Sequence, residues 1–454
     1  MPVLGRDVRV PLVTGGEVSY AALDYAASAP ALQRVWDEVA AYAPYYGSVH
    51  RGAGHLSQLS TDLFEQSRAT VARFLGCRDG AEGDGDDVVF TRSTTDSLNL
   101  LASALPEGTR VFVFETEHHA SLLPWRASPT TFLDAPHSPG QAVATLEAAL
   151  RAAPEGPKLV CVTGASNVTG EIWPVRQLAG AAHRHGARIV LDAAQLAPHH
   201  PVHIGELGVD WVAFSGHKLY APFGAGVLAG RADWLRAAEP YLAGGGASRT
   251  VLRGADGGLD VEWRTGPARH EAGSPNVIGA YALAAACRAL SEAGFEAIGG
   301  REAELTGRLL DGLARIPEVT VLSLFGAEAT RVGVLSFVVD GWNSSHLATA
   351  LSAEYGIGVR DGLFCAHPLV RKLLGAQRAE PGGCGAPEAP GEQSLNAVRV
   401  SFGAGTPDEH VERFLRAVGE LVRYGARWRY RTEDGRCVPD SERDDDNDRA
   451  ALAR

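Results

Sequence analysis

A lysine and an aspartate at the ends of two neighbouring apolar runs are the residues best placed to do chemistry. Arg188-Ile189-Val190-Leu191 reads as a strand that ends in Asp192, with Gln195 one turn later. Trp211-Val212-Ala213-Phe214 reads as a second strand that ends in Ser215-Gly216-His217-Lys218. Buried strands that deliver polar groups at their carboxyl ends describe an α/β ligand site. A lysine amine can form a Schiff base with an aldehyde, and a carboxylate can keep a pyridine nitrogen protonated. Those two parts are what pyridoxal 5'-phosphate requires of a protein. The lysine is also conspicuous by rarity. The chain has three lysines, Lys158, Lys218 and Lys372, so the total of 42 lysines and arginines leaves 42 − 3 = 39 arginines. A guanidinium cannot supply a nucleophilic amine, whereas a lysine whose environment lowers its pKa can.

The elements that must position these groups can be read in order. A small-residue loop, Leu23 to Pro30, precedes an amphipathic helix over about 32–42. The polar loop Tyr46-Gly47-Ser48-Val49-His50-Arg51-Gly52 leads to a helix over about 59–75. Strand Val88-Thr91 runs into Arg92-Ser93-Thr94-Thr95-Asp96, which opens a helix over about 97–105. A strand, a hydroxyl-rich turn and a helix start form a cradle for phosphate, because free N–H groups and the positive helix end point at one spot. Strand Val111-Phe114 ends in Glu117-His118-His119, and strand Leu159-Thr163 ends in Ala165-Ser166-Asn167. A histidine at such an end can stack on a planar cofactor or exchange a proton near neutral pH. Successive strand–loop–helix units from about 87 to 230 predict a mostly parallel sheet covered on both faces.

Beyond the lysine, Ala225-Ala229 is a further strand. Gly244-Gly246 and His270-Asn276, which includes Gly273 and Ser274, read as flexible loops. An alanine-rich helix fills about 277–294. The texture then changes to helix 302–316, strands 319–322 and 334–339, helix 345–355, strand 398–402 and helix 408–422. That last helix is expected to start at Thr406-Pro407 by capping. The expected division is a large domain over 20–295 and a small α+β domain from 1–19 and 296–430. A mobile Pro/Gly/Ala-rich insertion at 376–394 and a disordered charged tail over 431–454 complete it.

Hydrophobic content of 45% and charged content of 21% are ordinary for a globular enzyme. A formal charge of −12 argues against nucleic acid or an anionic membrane as partner. No apolar run approaches a membrane span and the N-terminus lacks a signal peptide's core, so the expected location is cytoplasmic. Six cysteines without a CxxC pair or regular spacing argue against a zinc site or a disulfide framework, and no metal is expected.

The signatures LDYAASAP, SVHRGAGHLS, FTRSTTDSLN, TEHHASLLPW, SNVTGEIWPV, LDAAQ, FSGHKLYAPFG, HEAGSPN and RDGLFCAHPL run in order from about residue 20 to 425. Together they resemble the class V, fold-type I pyridoxal-phosphate enzymes, most of all SUF-type cysteine desulfurases and selenocysteine lyases. The resemblance implies a seven-stranded-type sheet and a site built as follows. Lys218 would bond the cofactor, Asp192 would pair with its ring nitrogen, Gln195 with its phenolic oxygen, and His118 would stack on the ring. Thr94, Thr95, Ser215 and His217 would bind the phosphate, helped by Gly273 and Ser274 from the other subunit of a homodimer. Asn167, with Arg399, His50 and Arg51, would face an amino-acid substrate, Arg399 gripping its carboxylate with a two-pronged donor. Cys365 would attack the sulfur of L-cysteine, leaving L-alanine and a persulfide for a sulfur-acceptor protein.

The chain departs from the SUF branch in having Leu363-Phe364 where histidines precede that cysteine, which leaves Cys365 without a charged sequence neighbour. Ser93 and Ser48 replace a usual glycine and asparagine, and Cys384 lies in the insertion. Two other readings follow from the same residues. One is a class V aminotransferase, epimerase or C–S lyase working on a specialised amino acid without a persulfide. The other is a catalytically retired module that binds partners, which the intact lysine, acid and glutamine oppose.

Overall fold

A computed structural model describes residues 1–50, 52–79, 85–255, 257–375, 396–434 and 436–440. Its centre is a seven-stranded sheet built from β1 (Asp86–Thr91), β2 (Arg110–Phe114), β3 (Thr130–Leu133), β4 (Lys158–Thr163), β5 (Arg188–Asp192), β6 (Trp211–Ser215) and β7 (Gly226–Arg231). The spatial order is β1-β7-β6-β5-β4-β2-β3. Strands β4, β5 and β6 are continuous apolar runs, and Val160, Val190 and Val212 are each 0% exposed. Such runs suit strands covered on both faces.

Only β7 breaks the parallel pattern, pairing antiparallel with both β6 and β1. The link from β6 to β7 occupies residues 216–225, shorter than the dozen or so residues that a parallel crossover needs. Strand β1 therefore points the same way as β6. The carboxyl ends of β1, β2, β4, β5 and β6 share one edge of the sheet, where an α/β site belongs.

A second sheet is antiparallel, in the order β8-β9-β11-β10, from β8 (Val319–Val321), β9 (Val334–Val339), β10 (Arg360–Gly362) and β11 (Ala397–Ser401). Helices Phe295–Leu313, Ser344–Tyr355 and Asp408–Tyr424 carry Leu309, Leu351 and Phe414 into one apolar cluster with Phe337 and Val400 of that sheet. The N-terminal chain is laced into this layer. Ala21–Ala22 pairs with Ile357–Gly358, Asp24 bridges to Ser401, and the Ser401 hydroxyl accepts the Ala26 N–H at 3.0 Å.

Several expectations are corrected here. The helix expected from residue 302 starts at Phe295, because Gly294 (φ +80°) turns the chain and the helix then runs through Gly299 and Gly300. Thr406 does not cap the helix at Asp408. Its hydroxyl accepts the Gly403 N–H at 3.2 Å, and Pro407 takes the cap position. Between the two glycine-rich loops a hairpin, Ser248–Arg253 with Leu259–Trp263, appears where no strands were read. The start of the charged tail is ordered too, since Tyr430–Glu433 pairs with Arg436–Pro439. Cys437 in that hairpin is disulfide-bonded, so irregular cysteine spacing did not preclude a single bridge. Residues 376–394 and 441–454 lie outside the described residues. No helix among the described residues is long and apolar enough to cross a membrane.

Candidate active site

The shared edge of the large sheet opens into a cavity of about 280 Å³. Thr94, Thr95, His118, Asn167, Asp192, Gln195, Ser215, His217, Lys218, Cys365 and Arg399 all line it. They come from five strand ends of the large sheet, one strand of the small sheet and the loop after β10.

The hydroxyl-rich turn after β1 builds one wall. Ser93 caps the helix Thr94–Ser103 by accepting the Asp96 N–H. The Thr94 N–H donates to Ser215 Oγ at 2.7 Å, and the two hydroxyls are also 2.7 Å apart. The cradle therefore presents the Thr94 and Ser215 hydroxyls at a helix start, with the Thr94 N–H already bonded to one of them. Asp96 is kept from repelling an anion there by a two-pronged bond from Arg92 (2.8 and 3.0 Å), which holds its carboxyl below the usual range against the effect of burial.

Gly226 makes this geometry possible. A Cβ at that position would sit 2.7 Å from the Ser93 N and Cα, and both atoms are backbone that cannot swing aside. Gly226→Ala is expected to destabilise the fold by roughly 1–3 kcal/mol, the usual cost of overpacking, and to weaken phosphate retention. Chemical denaturation and cofactor titration measure the two effects separately.

The second wall is acidic and aromatic. Asp192 is 4% exposed. Its Oδ2 accepts from Ser121 Oγ (2.8 Å) and its Oδ1 from the Ala194 N–H (2.9 Å). Burial pushes its carboxyl up, while those two donors and the facing Lys218 charge pull it down. His118 Nδ1 accepts the Ala120 N–H at 3.0 Å, so in the neutral ring the proton is assigned to Nε2. Burial first, then the Lys218 charge, lower the imidazole pKa to about 3, and the ring is neutral at physiological pH. Gln195 Nε2 donates one proton to Ala26 O at 2.7 Å and keeps the other.

The Lys218 amine faces this wall. Burial lowers its pKa to about 8, with Asp192 opposing and Arg399 adding to the shift. The uncharged form that a carbonyl-trapping amine needs is thus far more accessible near neutral pH than for an ordinary lysine.

Arg399, third in β11, reaches into the cavity from the small sheet and is 3% exposed. It pairs with Asp24 Oδ1 at 2.9 Å, donates to Asn167 O at 3.0 Å, and lies 5.0 Å over the Phe364 ring. Its Nε is sealed from solvent and has no hydrogen-bond partner among the described residues.

Cys365 is exposed. It follows Phe364, and both have left-handed backbones (φ +52° and +50°). Asn167 Nδ2 holds the Phe364 carbonyl at 2.8 Å, and the His119 N–H holds that of Cys365 at 2.8 Å. These tertiary bonds fix a turn that non-glycine residues rarely adopt unaided. The thiol does have charged company. It faces the cations of Lys218 and Arg399 and influences both. Neither is near it in sequence.

Other expected residues lie elsewhere. His50 and Gly273 line a separate cavity of about 260 Å³. His50 there pairs with Glu65 at 3.3 Å, and Ser274 is exposed beside Gly273. Arg51 lies outside the described residues. Sequence reasoning missed Asp24, Ser121, Phe364 and Arg360. Ser121 alone carried a local signal, standing one helical turn after His118.

The residues fit pyridoxal phosphate. Asp192 is a buried carboxyl bonded by two neutral donors and by no ion pair among the described residues, which leaves it to meet a protonated ring nitrogen. The hydroxyl cradle, the neutral His118 ring and the Lys218 amine stand around the same cavity.

Comparison with known proteins agrees. The sequence model of a family described as Aminotransferase class-V matches residues 21–414. The chain is 37% identical over 412 residues to a "Probable cysteine desulfurase" of Aeropyrum pernix, covering 88% of this chain and 94% of that one. It is 35% identical over 394 residues to a "Cysteine desulfurase" of Klebsiella pneumoniae, covering 82% and 88%. The apo structure of a cysteine desulfurase from Thermococcus onnurineus NA1 superposes with a TM-score of 0.76 at 32% identity, covering 89% and 95% of the two chains.

Proposed function

We propose, from the premise that this chain belongs to the class V aminotransferase family of pyridoxal-phosphate enzymes, that it is a cysteine desulfurase releasing L-alanine from L-cysteine. The observation that carries the reading is the meeting of Cys365, Lys218 and Arg399 in one cavity. The cofactor, when bound, supplies an electron sink for bonds broken at the substrate's α-carbon.

The chain's own residues supply the rest. Thr94, Thr95, Ser215 and His217 would hold the phosphate. Asp192 would accept the ring nitrogen's N–H and keep that nitrogen protonated, Gln195 would donate to the phenolic oxygen, and His118 would cover the ring. Arg399 takes the substrate carboxylate from the cavity wall and sets the substrate between Lys218 and Cys365. Lys218 moves the proton at the substrate's α-carbon. The Cys365 thiolate attacks the substrate sulfur, so that a sulfur–sulfur bond forms as the carbon–sulfur bond breaks. The β-carbon takes up a proton in place of its sulfur, Lys218 returns a proton to the α-carbon to complete alanine, and a thiol reductant or acceptor protein removes the persulfide sulfur. Gly273 and Ser274, on the loop beside the second cavity, would complete the phosphate site of a second copy in a homodimer.

The test is direct. Purified holoenzyme incubated with L-cysteine and dithiothreitol should release alanine and sulfide in equal amounts. Release of pyruvate and ammonia, or transfer of the amino group to a keto acid, would assign a different class V reaction.

A further inference from the structure

A second carboxyl lies behind Asp192, and the proposed reaction gives it no part. Glu117, in the turn after β2, is 0% exposed. Its Oε1 accepts one bond, from the Thr163 N–H at 3.0 Å. Thr163 stands in register with Asp192 across β4 and β5. Glu117 Oε2 is sealed from solvent and has no hydrogen-bond partner among the described residues.

The groups facing Glu117 are acids. Asp192 approaches from β5 and Cys161 from β4, both buried. No cation pairs with it among the described residues, and the adjacent His118 ring is neutral. Burial drives the Glu117 carboxyl well above its ordinary pKa, Asp192 adds repulsion, and the one N–H opposes this only in part. Asp192 is better placed to hold a charge, with two donors and the facing Lys218. Two buried carboxyls in one dry layer do not both ionise, and an unpartnered hydroxyl costs less than an unpartnered anion.

We propose that Glu117 is held as a neutral carboxylic acid, a positioning residue that leaves Asp192 the single negative charge presented to the cofactor's ring nitrogen. The second half rests on the reading of Asp192 as that nitrogen's partner; the protonation of Glu117 does not.

The experiment compares wild type with Glu117→Gln, which keeps shape and neutrality, and Glu117→Ala, which opens the layer behind Asp192. In the infrared, wild-type apoprotein at neutral pH should show the C=O stretch of a protonated carboxyl whose carbonyl oxygen accepts a single N–H, a band that is missing from Glu117→Gln. In the holoenzyme, Glu117→Gln should keep the cofactor's visible band and its pH midpoint, while Glu117→Ala should move the midpoint or lose cofactor.

Stability gives an independent sign. A carboxyl whose folded pKa is raised keeps its proton when the unfolded chain has lost it, so it makes stability fall as pH rises above the unfolded value of about 4.3. Glu117→Gln should remove that contribution and flatten the slope by up to one proton. A wild-type spectrum with no protonated carboxyl band overturns the proposal, as does a band midpoint that Glu117→Gln moves as far as Glu117→Ala. A protein that binds no pyridoxal phosphate would instead overturn the functional reading, with the infrared band still reporting on Glu117.

Discussion

Lys218→Ala is expected to end turnover and to remove the visible absorption that pyridoxal phosphate acquires when bonded to a protein amine. Two losses coincide at this residue. The covalent hold on the cofactor goes, and so does the group that moves the proton at the substrate's α-carbon, a step worth roughly 10²–10⁴-fold by itself. Lys218→Arg should fare no better despite its charge, because a guanidinium does not deprotonate to a nucleophile. Absorption spectra and alanine release measure the two losses, and turnover that persisted in either variant would remove Lys218 from the mechanism.

The same amine predicts a pH dependence. Its pKa is lowered from 10.5 to about 8, chiefly by burial. Capture of added pyridoxal phosphate by the apoprotein should therefore accelerate as pH rises through about 8, where the uncharged amine becomes dominant. For folding, the sign follows from the depressed value. Charging Lys218 is costlier in the folded state, so its unfavourable contribution is complete below about 8 and fades as pH rises from there towards 10.5.

Cys365→Ser should have the second large effect, and a more selective one. The substitution removes one sulfur atom and leaves the turn intact, since the bonds that hold it come from Asn167 and His119 to the Phe364 and Cys365 carbonyls. Cofactor absorbance should be unchanged. Release of alanine and sulfide from L-cysteine should fall to background, because a serine hydroxyl neither ionises near neutral pH nor carries sulfur onward. Thiol-specific labelling after one turnover should mark a persulfide in wild type and none in the variant. Unchanged desulfuration in Cys365→Ser would refute the persulfide route and leave a class V enzyme of another kind. The two positive charges facing Cys365 come from distant parts of the chain, and the apolar Leu363-Phe364 gave no hint of them.

Legibility differed from residue to residue for physical reasons. Asp192, Lys218 and Ser215 end continuous apolar strands, and a strand's buried run together with its polar end is written in consecutive residues. The hydroxyl turn after β1 could be read for the same reason. Strand β7 was legible as a strand but not as an antiparallel one, because direction depends on how the 216–225 link packs. The exposed hairpin at 248–263 was missed because its pattern follows no buried face.

The sequence by itself determined the large α/β layer, the cofactor that suits it, and most of the residues lining one edge, because short-range patterning dictates which strand ends carry which groups. Tertiary structure alone decided what those groups face. Asp24 reaches Arg399 across 375 positions of chain, Asn167 holds the cysteine turn across 197, and Glu117 meets Asp192 only where β4 brings their strands together. Charge, protonation and access at the site depend on these approaches through a buried, low-dielectric layer, and distance through that layer bears no relation to distance along the chain.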